Sequence, residues 1–260
     1  MKPSISIISD WKQRDYYYAA LRQRIRQYLP DADVNSISNQ VESHDLMEAA
    51  FMLRAAWNYF PDNSIHLMCV KTEASAEHPH VLIRHKNQYF IGTDFGYWPF
   101  ICKTKPDAAW ILNDEAHYKG NSFPSLNVFA PVAAAIAKGV SPDELGETGY
   151  ALQEAAELKP VMEKGILRAG IVYFDSYGNA ITNLNKSGFE QEVGDKKFRM
   201  FLMSEQNRIH RISSAYCDVR PGSLVAVFNS QGLLEIAINE GNLKQLLNLR
   251  TGDALRIEYE

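Results

Sequence analysis

Two carboxylates near the amino terminus are placed where an open α/β sheet binds ligands. Asp10 and Asp15 follow the first strand-like run of the sequence. A carboxylate at the carboxyl end of such a strand lies beside the ligand crevice and can accept hydrogen bonds from both hydroxyls of a ribose. For Asp15, capping of the following helix is an equally good interpretation. For Asp10 we favour the ligand role.

A second polar cluster follows a β-run in the second half of the chain. It contains Asp175, Tyr177 and Asn179, with Gly178 between the last two. An acid, an aromatic ring and amide groups offer pairing with an ammonium group, ring stacking and recognition of a purine edge. Taken alone, however, a Gly-Asn corner indicates an ordinary turn. The segments around Ser230 and Asn239 are also turn-like when each is taken alone.

Motifs for several other kinds of chemistry are absent. The sequence has no GxGxxG or Walker loop, no GxSxG elbow and no HExxH. His78 and His80 could share a metal ion only on an extended strand, so we expect no metal site. A net charge of −4 and a pI near 6.0 do not favour nucleic acid or an anionic membrane as a partner.

The cysteines and the apolar stretches indicate where the protein resides. Cys69, Cys102 and Cys217 are odd in number, far apart and without a CxxC pair, which is typical of thiols in a reducing compartment. No stretch has the roughly 20 apolar residues needed to cross a bilayer, and the first residues lack an apolar signal core. We therefore predict a cytoplasmic protein.

The elements that position the first cluster alternate between strands and helices. Apolar spacing predicts one helix after Asp15 that ends at Pro30, and a second helix from Asp45 to Tyr59. An Ala-rich segment predicts a third. Alternation of this kind predicts an α/β domain with a mainly parallel sheet, at residues 1–155. The predicted strands are 5–8, 34–37, 65–70, 81–84 and 88–91, and the third helix is 129–137.

The pattern changes after a predicted linker at residues 156–164. Short strand-like runs then alternate with turn pairs such as Pro221-Gly222 and Gly252-Asp253. This texture predicts a small antiparallel β-barrel or sandwich, and we favour a β-barrel domain at residues 165–260. The predicted strands are 166–174, 197–202, 223–228, 234–238 and 254–259.

Taken in order, these segments resemble the S-adenosylmethionine (SAM) hydroxide adenosyltransferases and the related SAM halogenases, over essentially the whole chain. The similarity includes both polar clusters and the Ala-rich helix. The matching segments are Ser9–Asp15 (family T-D-F-G-x-x-D), Asp45–Phe51 with Tyr59–His66, Phe129–Ala134 (F-A-P-V-A-A), Phe174–Asn183 (D-x-F-G-N-x-x-T-N) and Asn229–Ala237 (N-S-x-G-x-L-E-I-A).

The resemblance implies an α/β domain followed by a β-barrel, in a homotrimer with sites between domains of neighbouring subunits. The family's reaction is a nucleophilic displacement at the 5′ carbon of SAM, which releases methionine and forms adenosine or a halo-adenosine. The substrate carries its own leaving group, so the chemistry needs no metal or redox cofactor. Carried over by position, Asp10 binds the ribose, Asp175 the methionine ammonium and Ser230 the carboxylate, while Tyr177, Asn179 and Asn239 bind the adenine.

The positions that activate water in the hydroxide-using enzymes differ here. The family's Asp, Arg and His correspond to Lys71, His78 and Pro124, and its P-D-N-G segment reads Thr93–Gly96. Two hypotheses about the function follow from these replacements. In the first, the protein is an adenosyl transferase that uses another anionic nucleophile, such as halide.

Three residues are the candidate catalytic groups of this first hypothesis. Lys71 could attract an anion, although a solvated loop lysine is the simpler interpretation, and His78 could act as a base. Ser125 stands where halogenase relatives carry a small Ser or Gly. In the second hypothesis, the protein binds SAM or adenosine without catalysis.

Overall fold

The computed structural model describes residues 2–113, 122–155 and 159–260. The chain divides into two compact units, Met1–Ala156 and Glu157–Glu260. Each unit has its own hydrophobic core, so each is described by itself. Within the described ranges, no helix has both the length and the apolar character needed to cross a membrane.

The first unit contains a seven-stranded mixed sheet with the order β2-β1-β3-β5-β4-β6-β7. β1 pairs in parallel with β2 and β3, and β3 pairs in parallel with β5. β6 points the same way as β5, because both are antiparallel to β4. Most strands therefore share one direction. The strands are β1 (Ser4–Ser9), β2 (Asp33–Ser38), β3 (Ile65–Cys69), β4 (His80–His85), β5 (Gln88–Thr93), β6 (Ala108–Leu112) and β7 (Gly146–Thr148).

Helices cover both faces of this sheet. In α1, Leu21 and Ile25 lie one turn apart on the buried side, as the 3.6-residue period requires. The Asp45 carboxylate begins α2 by accepting the backbone N–H of Glu48 at 2.9 Å. A π-helical turn, Ser125–Phe129, leads into α4. The helices are α1 (Tyr17–Tyr28), α2 (Leu46–Ala56), α3 (Trp98–Cys102), α4 (Ala130–Ala137) and α5 (Pro142–Leu145).

Two apolar clusters fill the space between the sheet and its helices. Residues of α1 and α4 pack with Ile5 and Ile7 of β1 on one face. Residues of α2 and α3, with Trp57, pack with Ile8 in the other cluster. Burial on both faces explains why the central strands read as short apolar runs. The predicted α/β class with a mainly parallel sheet is confirmed.

The second unit is a nearly closed antiparallel β-barrel with the strand order β12-β11-β15-β9-β10-β14-β13. The two end strands, β12 and β13, also contact each other. Two short helices, α6 (Lys186–Glu192) and α7 (Leu243–Leu247), complete the unit. The strands are β8 (Val161–Glu163), β9 (Ile166–Phe174), β10 (Ala180–Asn185), β11 (Phe198–Leu202), β12 (Ser204–Ile209), β13 (Leu224–Phe228), β14 (Leu233–Ile238) and β15 (Ala254–Tyr259).

The interior of the barrel is formed by alternate residues of its strands. On β14, Leu234, Ile236 and Ile238 belong to the core, whereas Glu235 and Ala237 point to the outer face. The predicted β-barrel is confirmed. β8 lies within the segment that the sequence analysis assigned to a linker, and it pairs with β9 as an antiparallel strand.

Candidate functional site

Asp10 lies at the carboxyl edge of the parallel strands, as the sequence analysis predicted for a ligand carboxylate. β1 and β3 run side by side with Ser9 opposite Cys69, so the loops after them begin at the same edge. The Asp10 Oδ2 atom accepts the backbone N–H of His44 at 2.9 Å. This bond ties the loop after β1 to the segment before α2 and orients the carboxylate.

Asp15 has a more exposed and less constrained position. Its carboxylate lies 3.9 Å from the Nε atom of the neighbouring Arg14. The residue before α1 is Tyr16, and no side chain bonds to the first turn of that helix. Asp15 therefore does not cap α1, which was one of its two interpretations.

Aromatic rings connect the Asp10 loop to the segment before Ser125. The ring centroids of Trp11 and Phe123 are 5.3 Å apart with the rings edge to face, and Tyr17 lies 5.4 Å from the same phenyl ring. Edge-to-face pairs at this distance are favourable. The first strand's loop and the start of the π-helical turn are thus held together.

Ser125 presents a polar group in a dry environment. Its side chain is fully buried, and its hydroxyl makes no hydrogen bond of normal geometry with the described residues. Burial raises the pKa of the Cys69 thiol to about 12, the Ser125 hydroxyl opposes this shift, and the charge of Asp10 adds to it. Ser125, Cys69 and Asp10 are therefore neighbours in the first unit.

Ser9 adds a second hydroxyl of the same kind at the end of β1. It is fully buried and has no hydrogen-bond partner among the described residues. Buried polar groups without partners are rare in folded proteins. Ser9 lies opposite Cys69 in the sheet, and Ser125 acts on the same thiol, so both hydroxyls lie near the carboxyl end of β1 and β3.

Phe95 contacts two other positions that depart from the family pattern. The Lys71 ammonium lies 4.4 Å from the centroid of the Phe95 ring, a cation–π distance. The imidazole of His78 lies 4.4 Å from the same ring centroid. Lys71 and His78 therefore contact the same ring, and Lys71 is exposed to solvent.

The hydrogen bond of His78 fixes its neutral tautomer. Its Nδ1 atom lies 2.9 Å from the backbone carbonyl oxygen of Asp94. Because a carbonyl oxygen only accepts, we assign the hydrogen to Nδ1. In the neutral ring, Nε2 is then the atom that accepts a proton.

Asp94 stabilises the region around Phe95 and His78. Its carboxylate is fully buried and accepts the backbone N–H groups of Gly96 and Gln153, each at 2.9 Å. The Gln153 side chain in turn donates to the backbone carbonyl of Glu77. Asp94 thus has a structural role, since it joins the segment that carries Phe95 to the loop that carries His78.

In the second unit, Asp175 builds the turn that it belongs to. Its Oδ1 atom accepts the backbone N–H groups of Tyr177 at 3.0 Å and Asn179 at 2.9 Å, and its Oδ2 atom accepts the Asn179 side-chain amide at 2.9 Å. Gly178 takes a φ of +82° at the corner. The Tyr177 ring is 75% exposed, so it is open to stacking.

Ser230 and Asn239 lie near opposite ends of β14. Ser230 is exposed at the tip of the β13–β14 turn. That turn is organised by Asn229, whose Oδ1 atom accepts the backbone N–H groups of Gln231 at 3.0 Å and Leu233 at 3.2 Å. Asn239 donates from Nδ2 to the Val219 carbonyl at 2.8 Å.

Two residues that the sequence analysis did not select, Glu235 and Tyr216, are hydrogen-bonded to each other beside the Ser230 turn. Glu235 is 3% exposed and accepts the hydroxyl of Tyr216 at 2.5 Å and the Asn229 side-chain amide at 3.2 Å. Burial raises the pKa of Tyr216, as do its hydrogen bond to Glu235 and the charges of Glu235 and Asp175. An acid inside the apolar run Leu234–Ile238 was the available signal.

His80 has a structural role near the loop that carries His78. His80 donates from Nε2 to the Thr72 carbonyl at 2.7 Å. No group of three or more His, Cys, Asp or Glu side chains is arranged to hold a metal ion in the described part of the chain.

Comparison with known families identifies the class of protein. A family model described as the SAM hydroxide adenosyltransferase N-terminal domain matches residues 5–146, and one described as the C-terminal domain matches residues 169–256. The chain therefore belongs to the SAM hydroxide adenosyltransferase family. The resemblance found in the sequence motifs is confirmed.

Two named relatives match along almost their whole length. The chain is 27% identical over 268 residues to an (R)-S-adenosyl-L-methionine hydrolase of Methanocaldococcus jannaschii, covering 98% of this chain and 95% of that protein. It is 26% identical over 270 residues to a protein of the same name from Thermus thermophilus, covering 99% and 100%.

Solved structures show the same fold. An uncharacterized conserved protein from Thermotoga maritima has a TM-score of 0.86 and 25% identity, covering 97% of this chain and 99% of that chain. A conserved hypothetical protein from Thermus thermophilus has a TM-score of 0.77 and 24% identity, covering both chains completely. The second similarity concerns the fold alone.

Proposed function

We propose that this protein binds SAM and transfers its adenosyl group to a small anion, with release of methionine. The anion attacks the 5′ carbon and forms the new bond to it. The bond between the 5′ carbon and sulfur breaks, and its electron pair goes to sulfur. The positively charged sulfonium thereby becomes the neutral thioether of methionine, so no proton is needed by the leaving group.

Family membership supports SAM as the ligand, and the full-length relatives named as SAM hydrolases support cleavage of it. The proposed roles follow the family pattern residue by residue. The exposed Tyr177 ring and the hydrogen-bonded Asp175 turn are compatible with stacking and with ammonium pairing. The proposed contacts are Asp10 and Asp15 to the ribose side, Asp175 to the ammonium, Ser230 to the carboxylate, and Tyr177, Asn179 and Asn239 to the adenine.

The buried, unpartnered hydroxyl of Ser125 is the observation that favours an anion as the nucleophile. A donor O–H in a dry site stabilises a small anion, because its dipole is not screened by water. The residues that activate water in the family are replaced by Lys71, His78 and Pro124. An anion needs no base to generate it, which suits this set of residues.

The test is incubation of the purified protein with SAM, with and without chloride or bromide, followed by mass spectrometry of the products. We expect 5′-halo-adenosine and methionine in equal amounts. Ser125→Ala should lower the rate at least about tenfold, which corresponds to a loss of about 1.4 kcal/mol in transition-state stabilisation. Ser204→Ala, at an exposed serine, is the matched control. Adenosine as the sole nucleoside product would overturn the choice of an anion.

Binding without catalysis is the second candidate function. It is favoured by the contacts that Lys71 and His78 both make with Phe95. Two side chains at replaced catalytic positions thus interact with a neighbouring ring of the protein. In this case calorimetry would detect SAM binding while no nucleoside product accumulates with any anion. Product above the level of a sample without protein would exclude it.

A cytoplasmic homotrimer completes the proposal. The resemblance to the family supports the trimer, and free cysteines at positions 69, 102 and 217 are compatible with a reducing compartment. Size-exclusion chromatography with light scattering should give about three times the chain mass of 29.5 kDa. A monomer mass at micromolar concentration would contradict the trimer.

A further inference from the structure

Glu235 is a buried acid whose position calls for an explanation. Its neighbours on β14 at positions 234 and 236 fill the barrel core, so the Glu235 side chain points to the outer face. There it is 3% exposed, and the hydrogen bonds described above come from two neutral groups, a phenol and an amide. A buried carboxylate held by neutral donors destabilises the fold relative to an apolar side chain. A role beyond stability would account for it.

The hydrogen bond to Asn229 shows what that role is. A carboxylate only accepts hydrogen bonds, so Glu235 selects the amide orientation in which Nδ2 faces it. The Oδ1 atom of Asn229 then faces the opposite way, where it accepts the backbone N–H groups of Gln231 and Leu233. Ser230 is enclosed by this pair of bonds. By accepting the Asn229 amide, Glu235 therefore helps to fix the shape of the Ser230 turn.

The other hydrogen bond extends the arrangement toward Asp175. Tyr216 donates its hydroxyl to Glu235, and the charges of Glu235 and Asp175 both act on that hydroxyl. The Tyr216 hydroxyl is therefore hydrogen-bonded to Glu235 and lies within the electrostatic range of Asp175. The combined negative potential of the two carboxylates favours a positively charged group near the Asp175 turn.

We infer that Glu235 is a positioning residue that sets the affinity of this protein for the amino-acid part of its ligand. The inference rests on the proposed function, in which Ser230 and Asp175 contact the carboxylate and ammonium of SAM. Glu235 acts through Asn229 and Tyr216 and touches no ligand atom itself. The adenosine part of the ligand does not depend on it.

A comparison of two ligands distinguishes this positioning role from a general structural role. SAM carries the amino-acid group, whereas 5′-methylthioadenosine has the same adenosine and sulfur without it. For Glu235→Gln we expect the Kd of SAM, measured by calorimetry, to rise at least about tenfold, while the Kd of 5′-methylthioadenosine changes less than about twofold. Glu190→Gln, at an exposed glutamate of α6, should change neither value.

Tyr216→Phe is the second variant, and it keeps the inference testable if Glu235→Gln does not fold. It removes one donor but leaves the bond between Asn229 and Glu235, so the SAM affinity should fall less than in Glu235→Gln. Equal losses for both ligands in Glu235→Gln would overturn the inference, because a structural defect affects them alike. An unchanged SAM affinity would overturn it as well.

Hydrogen exchange without ligand gives a separate readout. In Glu235→Gln the amide of Asn229 can turn over, so the backbone N–H groups of Gln231 and Leu233 should exchange faster than in the parent protein, while amides of β9 stay unchanged. If the parent protein binds neither ligand, the proposed function fails, and the exchange rates still decide whether Glu235 positions the turn. Unchanged exchange at both amides would overturn that positioning role.

Discussion

The imidazole of His78 donates a 2.9 Å hydrogen bond to the backbone carbonyl of Asp94, so the loop that follows β3 is fastened to the end of β5. This bond and the contact with Phe95 hold the ring in one orientation. The altered loop is therefore an ordered structure with its own internal contacts.

The first prediction concerns the hydrogen bond between His78 and the Asp94 carbonyl. His78→Asn keeps a donor close to the position of Nδ1, and we expect its free energy of unfolding to stay within about 0.5 kcal/mol of the parent. His78→Ala removes the donor and the ring contact and should lose about 1–2 kcal/mol. Urea unfolding followed by fluorescence measures both values. Equal stability of the two variants would show that the bond contributes nothing.

The second prediction concerns the corner of the Asp175 turn. Gly178 has a φ of +82°, and a Cβ atom there would collide with the side chain of Asn242. Asn242 caps α7 by accepting the backbone N–H of Gln245 at 2.8 Å, so the collision also disturbs that helix. Gly178→Ala should therefore lose about 1 kcal/mol from the backbone conformation and about 1 kcal/mol more from the cap.

Gly222→Ala provides the matched control for this substitution. Gly222 has a φ of +79°, and a Cβ atom there meets nothing within 4 Å. It should show only the backbone cost, about 1 kcal/mol. Thermal unfolding compares the two, and equal losses would mean that Asn242 moves aside without consequence.

The third prediction concerns acid stability and depends on His66. This ring is fully buried in β3, with Ser6 Oγ 2.6 Å from Nδ1 and Gln88 Oε1 2.5 Å from Nε2. The Gln88 amide also donates to the Phe60 carbonyl at 3.1 Å, which fixes its oxygen toward the histidine. The neutral ring therefore donates from Nε2 and accepts at Nδ1, and burial lowers the pKa of His66 from 6.5 to about 4.

The pH dependence follows from the direction of this shift. The unfolded chain binds the proton at higher pH than the folded chain, so the stabilisation is complete above pH 6.5 and is lost as the pH falls from 6.5 toward 4. The slope within this window should reach about 1.4 kcal/mol per pH unit. Urea unfolding of the parent and of His66→Gln at several pH values measures it. Parallel pH profiles of the two proteins would contradict the assignment to His66.

The fourth prediction concerns thiol reactivity. Burial raises the pKa of Cys69 and that of Cys102 to about 12, whereas Cys217 is exposed. Only the thiolate reacts with disulfide reagents. At pH 8 a folded chain should therefore react rapidly at one thiol, and at all three after denaturation. Cys217→Ser should abolish the rapid phase, and a remaining rapid phase would show that a buried cysteine is accessible.

Strong local periodicity made much of the fold predictable from the sequence. Leu21 and Ile25 defined α1, and the apolar runs defined β1, β3 and β14. β6 and β7 were not predicted, because Ala108–Leu112 begins with two Ala residues, which are uncommon in strands, and Gly146–Thr148 is only three residues long. Their strand conformation depends on pairing with distant partners, which no local pattern encodes.

The site was predictable as a set of residues but not as a set of contacts. Asp175 and Asn179 could be selected from their motif, yet their mutual hydrogen bonds follow from the turn geometry. Glu235 was missed because its partner Tyr216 lies 19 positions away in the sequence. Likewise, the buried state of the Ser125 hydroxyl depends on the packing of the π-helical turn.

The Asp175 turn has a consequence for the thermodynamics of recognition. Because its carboxylate already organises the backbone around it, the segment should lose little conformational freedom on binding the ligand that we propose. Ordering of a loop is one of the main entropic losses on association. In the proposed function, the entropy of binding at this turn should therefore reflect the flexibility of the ligand more than that of the turn.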